Sequence, residues 1–195
     1  MSKGRMEAFS DGVIAILITI MVLELKVPHG HEWRDLGPLL PALSSYVLSF
    51  VFLGIYWNNH HHMLHAAERI DGRVLWANLH LLFWLSLVPL TTAWMGESHL
   101  APDPTAAYGL VLLGAAVAYT LLQSAIVRRQ GPQSRLARAL GRDRKGKASL
   151  ACYVLAVPAA YVRPWLAAAL YVAVALLWIV PDRRIEPHLH DGSTP

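Results

Sequence analysis

Four residues able to carry charge or exchange protons stand at the start of an otherwise apolar stretch. The stretch is RMEAFSDGVIAILITIMVLELKV at residues 5–27, and the four are Arg5, Glu7, Ser10 and Asp11. An ionisable group that close to a hydrocarbon-spanning segment is costly, and it marks a bundle contact or a water-filled path. Histidine forms a second concentration: His60, His61, His62 and His65. His61 and His65 stand four apart, which places two imidazoles on one helix face and makes them weak candidates for gripping a metal. A catalytic metal also wants a carboxylate and an open position. Glu68 is close, but no H-E-x-x-H pattern exists. A polar cap where a helix leaves the membrane accounts for the same residues. Ser10, Asp11 and His80 have the residue types of a hydrolase triad, but no nucleophile-elbow pattern accompanies them. The single Cys152 rules out an intramolecular disulfide and a cysteine metal cage, and reads as a packed thiol. No catalytic residue set, resident metal or cofactor is therefore expected.

The elements that position these residues follow from composition. Of 195 residues, 55% are hydrophobic and only 15% charged, with a mean hydropathy of +0.38. That balance describes an all-α integral membrane protein. Six apolar segments are expected at about 8–27, 36–58, 74–95, 105–127, 148–162 and 164–180. A span needs about 20 residues. The first four qualify, whereas the fifth is short and carries Pro158. Either the stem of Lys147 extends it, or it forms a helical hairpin with the sixth. Residues 1–181 form one membrane domain, and residues 182–195 a polar tail. Asp11 interrupts the first apolar run, which argues against a cleavable signal peptide. No internal repeat supports an inverted duplication.

Charge sets the orientation. With the N-terminus inside and six spans, only Lys26, Arg34 and Arg163 fall outside, leaving 14 of the 17 Lys and Arg inside. The positive-inside rule then places both termini in the cytoplasm. Most of the bias comes from the segment between Arg128 and Lys147. That segment lacks the interleaved aromatics of a nucleic-acid surface, so anionic lipid headgroups are its expected partner.

Helical phase divides the first segment. At about 100° per residue, Ile16, Ile20 and Leu23 form one apolar stripe, flanked by the hydroxyl of Thr19. Asp11 and Ser10 lie roughly 120–140° from it. Two arrangements satisfy this. The stripe packs on a neighbouring helix, or it lines the axis of a symmetric oligomer as a hydrophobic constriction. In the second case Asp11 holds the helix from behind, with Arg5, Trp76, Asn78 and His80 as its natural partners. Trp57, Trp76, Trp84 and Trp94 read as packing or interface anchors.

RMEAFSDG at residues 5–12 resembles the R-x-x-x-F-S-D signature of the transmembrane protein 175 family in its bacterial branch, carried here by Arg5, Phe9, Ser10 and Asp11. YWNNHHHML at residues 56–64 and VLWANLHLLFWLSLVPL at residues 74–90 are similar to two further family motifs, in the same order. The resemblance covers the N-terminal half strongly and the remainder by hydropathy and length. It implies a potassium-permeable cation channel of the bacterial inner (plasma) membrane. Each subunit would have six spans, with four subunits around a pore lined by the first helix. By the same resemblance, Ile16, Ile20 and Leu23 form the constriction and Thr19 is the selectivity candidate. Arg5, Phe9, Ser10, Asp11, Trp76, Asn78 and His80 form the signature network. A further family hydroxyl position falls here on Ala15. The T-V-G-Y-G filter is absent from this chain. With potassium as the permeant ion, the histidines would suit pH-sensitive gating. The alternatives from other classes are a membrane metalloenzyme on the His60–His65 cluster and a proton or small-solute transporter.

Overall fold

Among the described residues, seven α-helices build the six apolar segments. The computed structural model describes residues 2–67, 70–131 and 143–179, together with Ser134 and Ala137. The tail at 182–195, Glu68, Arg69 and much of the basic linker, including Arg135, Arg138 and Arg142, lie outside them. The helices are α1 (Lys3–Leu23), α2 (Leu40–His65), α3 (Gly72–Ser86), α4 (Val88–Glu97), α5 (Pro102–Gln130), α6 (Arg144–Val162) and α7 (Pro164–Ile179). A 3-10 turn at Trp33–Leu39 leads into α2.

Local chemistry sets most boundaries. α1 stops at Leu23, four residues short of the expected end. Pro28 disfavours helical geometry at the residue before it, and the chain turns there. Asp71 caps α3 by accepting from the amides of Arg73 (3.0 Å) and Val74 (3.1 Å). The third segment is one span broken at Leu87. Pro89 has no amide proton, and its ring crowds the carbonyl of Leu85, so the helix ends and restarts. Pro102 opens α5, where a missing amide is no loss, and Gly131 closes it at a φ of 91°. α6 begins at Arg144 rather than near residue 148. The added turn brings the fifth segment to about 28 Å at 1.5 Å per residue, close to the hydrocarbon thickness. Arg163 is extended ahead of Pro164 and separates α6 from α7.

Among the described residues, four segments are long and apolar enough to cross a membrane, namely Lys3–Leu23, Trp33–His65, Gly72–Glu97 and Pro102–Gln130, and Pro164–Ile179 is apolar but shorter. α5 packs between α3 and α6, α6 packs on α7, and α2 packs on α4, while α1 touches α2, α3 and α4. Two apolar cores result. One joins Met6, Ile14 and Leu17 of α1 to Leu53, Leu81 and Leu122. The other gathers Phe52, Tyr108, Leu112, Tyr153 and Tyr171. Gly114 lies under the Trp84 indole and Gly109 against the Tyr171 hydroxyl, where a Cβ would collide.

Candidate functional site on the first helix

α1 has two chemically different faces. Met6, Ser10, Ile14, Leu17 and Met21 are buried. They recur every three or four residues, the spacing of one helix face. The opposite face is bare. Ile16 is 58% exposed, Ile20 40% and Leu23 78%, and Thr19 and Ala15 are exposed beside them. Among the described residues, no helix of the same chain covers the stripe. The Thr19 hydroxyl donates to the carbonyl of Ala15 at 2.6 Å. Its proton is committed to its own helix, so its lone pairs face outward with the stripe.

The buried face is clasped by polar bonds. Ser10 Oγ donates to the Met6 carbonyl (2.9 Å) and accepts from Asn78 Nδ2 (2.9 Å). Asn78 Oδ1 lies 2.7 Å from His60 Nε2. A carbonyl oxygen can only accept, so His60 carries its proton on Nε2. His60 Nδ1 is buried and has no partner among the described residues. Asp11 Oδ1 accepts from the Trp57 indole at 3.0 Å. α1 is thus bound to α3 through Ser10 and to α2 through Asp11. At its N-terminal end, Lys3 donates to the His65 carbonyl (3.0 Å), and Glu7 lies 3.0 Å from His61 Nδ1.

Of the residues expected to form the signature network, the structure brings together Ser10, Asp11 and Asn78. Arg5 is exposed and makes no ion pair among the described residues, and Phe9 is half-exposed. Trp76 is 75% exposed and stays outside the clasp. His80 turns away from it and accepts from Trp84 Nε1 at 3.0 Å. Trp57 and His60 are the members that sequence reasoning missed in this role. Trp57 read as a packing anchor and His60 as part of the histidine cluster. Their presence in the YWNNHHHML motif was the available signal. His61 and His65 stack with ring centroids 6.3 Å apart, and His61 also stacks on Trp57. Among the described residues, no group of three His, Cys, Asp or Glu is placed to hold a metal ion.

Comparison with known proteins gives a consistent picture. The family model described as endosomal/lysosomal potassium channel TMEM175 matches residues 5–89. A potassium channel of Chryseobacterium sp. (strain P1-3) is 51% identical over 192 residues, covering 98% of this chain and 100% of that protein. A potassium channel of Streptomyces collinus is 40% identical over 131 residues, covering 62% of each. The crystal structure of a lysosomal potassium-selective channel TMEM175 homolog from Chamaesiphon minutus superposes with a TM-score of 0.78. It shares 26% identity and covers 93% of this chain and 98% of its own.

Proposed function

The chain belongs to the TMEM175 family, and from that premise we propose that it is a potassium-permeable cation channel whose pore is lined by α1 from four copies. The observation that carries this reading is the uncovered stripe of Ile16, Ile20 and Leu23 beside Thr19, on the helix whose other face is clasped. A cyclic assembly repeats each of these residues around its axis. Rings of Ile and Leu make a constriction that closes by dewetting. An ion crossing it sheds part of its hydration shell, and potassium holds that shell less tightly than sodium. The outward lone pairs of Thr19 replace some of the lost water ligands. No T-V-G-Y-G carbonyl filter is needed for this mechanism, and none is present.

The same reading places the protein in the bacterial inner membrane with both termini in the cytoplasm. Arg128, Arg129, Arg144, Lys145 and Lys147 then meet anionic headgroups. The chain acts as a channel rather than as an enzyme, with potassium as permeant ion and no resident cofactor.

Potassium flux into liposomes tests it. Wild-type protein should pass potassium, and Ile16→Asn should raise the leak several-fold by wetting the ring, with little change in thermal stability because Ile16 is exposed. Equal flux in the two proteins removes Ile16 from the constriction, and no flux in either overturns the channel. In the same assay Thr19→Val should lower the preference for potassium over sodium.

A further inference from the structure

A cavity of about 400 Å³ lies between α5 and α6, at the end of the bundle where both helices meet the basic linker. Arg128 of α5 and Lys147 of α6 line it, and Gln123, Ser124 and Asp143 add further polar groups to its wall. Neither cation forms an ion pair among the described residues, whereas the adjacent Arg129 meets Asp71 at 3.7 Å. The linker offers them little: residues 128–147 hold eight Lys and Arg against one acid, Asp143. Two cations and one carboxylate leave the cavity wall with one positive charge. A singly charged anion balances it, which water does not.

Away from the linker the same groove turns apolar. Val127 and Leu150 belong to its wall. Beyond them, Val117 and Leu121 stand on the α5 face that carries Ser124 and Arg128, and Val154 on the α6 face that carries Lys147 and Leu150. Val117, Leu121 and Val154 are all exposed. From Arg128 to Val117 the helix rises about 16 Å, close to one leaflet of a hydrocarbon core about 30 Å thick. A cationic end followed by an apolar run of one leaflet's length matches a phospholipid better than a free phosphate. The groove also lies apart from the pore helix, because α1 packs on α2, α3 and α4.

We propose that this groove holds one phospholipid with a singly anionic, hydroxyl-bearing headgroup, of the phosphatidylglycerol kind. This deepens the reading that the basic segment meets anionic headgroups, and rests on it. The phosphate takes Arg128 and Lys147 as its partners, and an acyl chain runs past Leu121 and Val154. Asp143 selects the rest of the headgroup. One of its oxygens accepts from the Gly146 amide at 2.8 Å. The other repels a second phosphate and accepts from a headgroup hydroxyl.

Native mass spectrometry of the full chain in detergent, titrated with defined lipids, tests the proposal. Phosphatidylglycerol should bind saturably, one per chain, and about fivefold tighter than zwitterionic phosphatidylethanolamine. It should also bind tighter than phosphatidylethanol, which has the same charge but no headgroup hydroxyl. Soluble glycerol phosphate, without acyl chains, should not compete. Arg128→Gln and Lys147→Gln should each weaken phosphatidylglycerol about fivefold. Both side chains are exposed, so the fold is kept. Arg73→Gln removes the same charge from an exposed position outside the groove and should change nothing. Equal affinity for phosphatidylethanolamine, or displacement by glycerol phosphate, overturns the lipid site. Unchanged affinity in Arg128→Gln and Lys147→Gln overturns it as well, and so does an equal loss in Arg73→Gln, because the field of the whole basic face would then account for binding. Equal affinity for phosphatidylethanol overturns the headgroup assignment. Binding is read without ion flux, so failure here leaves the channel standing, and a chain that passes no potassium leaves this site standing.

Discussion

In the N-terminal half of the bundle, Ser10, Asn78 and His60 join α1, α3 and α2 through an amide and an imidazole. Deeper in the bundle, Tyr108, Ser49 and Thr92 join α5, α2 and α4 through hydroxyls alone. Thr92 already donates to the Val88 carbonyl at 2.7 Å. Ser49 therefore donates to Thr92 and Tyr108 to Ser49, a chain in which every proton is placed. Hydroxyl protons rotate to suit their neighbours, whereas an amide has fixed donor and acceptor ends. The hydroxyl chain tolerates small shifts between helices. The amide clasp demands one rotation of α1 about its axis, and that rotation keeps Ile16, Ile20 and Leu23 uncovered.

Breaking the amide should therefore have the largest effect. Asn78→Leu leaves the His60 Nε2–H without an acceptor and removes the donor to Ser10. The expected loss is about 2 kcal/mol, near the upper end for membrane hydrogen bonds. Thermal unfolding in detergent measures it, and potassium flux reports whether the stripe has turned. A midpoint shift no larger than that of Tyr108→Phe would erase the distinction between the two clusters.

How much of this was readable in advance differs between helices. The two faces of α1 were legible, because Ser10 and Asp11 break an apolar run and roughly 100° per residue separates them from Ile16. The partners were only partly legible. Trp76 and His80 are two residues from Asn78 and so lie about 200° around α3, on its other side. All three could not meet Ser10, and spacing alone could have said so. Trp57 and His60 depend on the rotation of α2. In lipid both the core-facing and the outward residues are apolar, so hydrophobic pattern does not fix that rotation. The break at Leu87 had its signal in Pro89, and the early start of α6 had one in the helix-capping Asp143.

Smaller changes sharpen the comparison by separating hydrogen bonding from charge. Asp11→Ala removes the acceptor of the Trp57 indole and should cost about 1 kcal/mol. Asp11→Asn keeps a carbonyl oxygen there and should cost roughly half as much. Equal losses in the unfolding midpoint would mean that the carboxylate charge, rather than the bond to Trp57, holds α1. Tyr108→Phe should cost about 0.5 kcal/mol, because Ser49 keeps Thr92 and no donor is stranded. A loss as large as that of Asn78→Leu would show that the hydroxyl chain is as rigid as the clasp.

The least effect is expected at the far end of α1, where Lys26 meets Glu97 at 2.7 Å. Both side chains are mostly exposed, and exposed pairs are screened by water and salt. The hydrogen bond and charge of Glu97 raise the Lys26 pKa above the ordinary lysine value. A raised folded-state pKa means that the pair's contribution is complete below the ordinary lysine pKa and is lost as pH rises through the raised one. Lys26→Ala should thus leave the unfolding midpoint unchanged within error in moderate salt. Any small difference at low salt should vanish at strongly alkaline pH. A clear midpoint loss that persists there would mean that packing of the lysine stem, rather than its charge, closes this end of α1. α1 would then be held at this far end as well as by the bonds of Lys3, Glu7, Ser10 and Asp11.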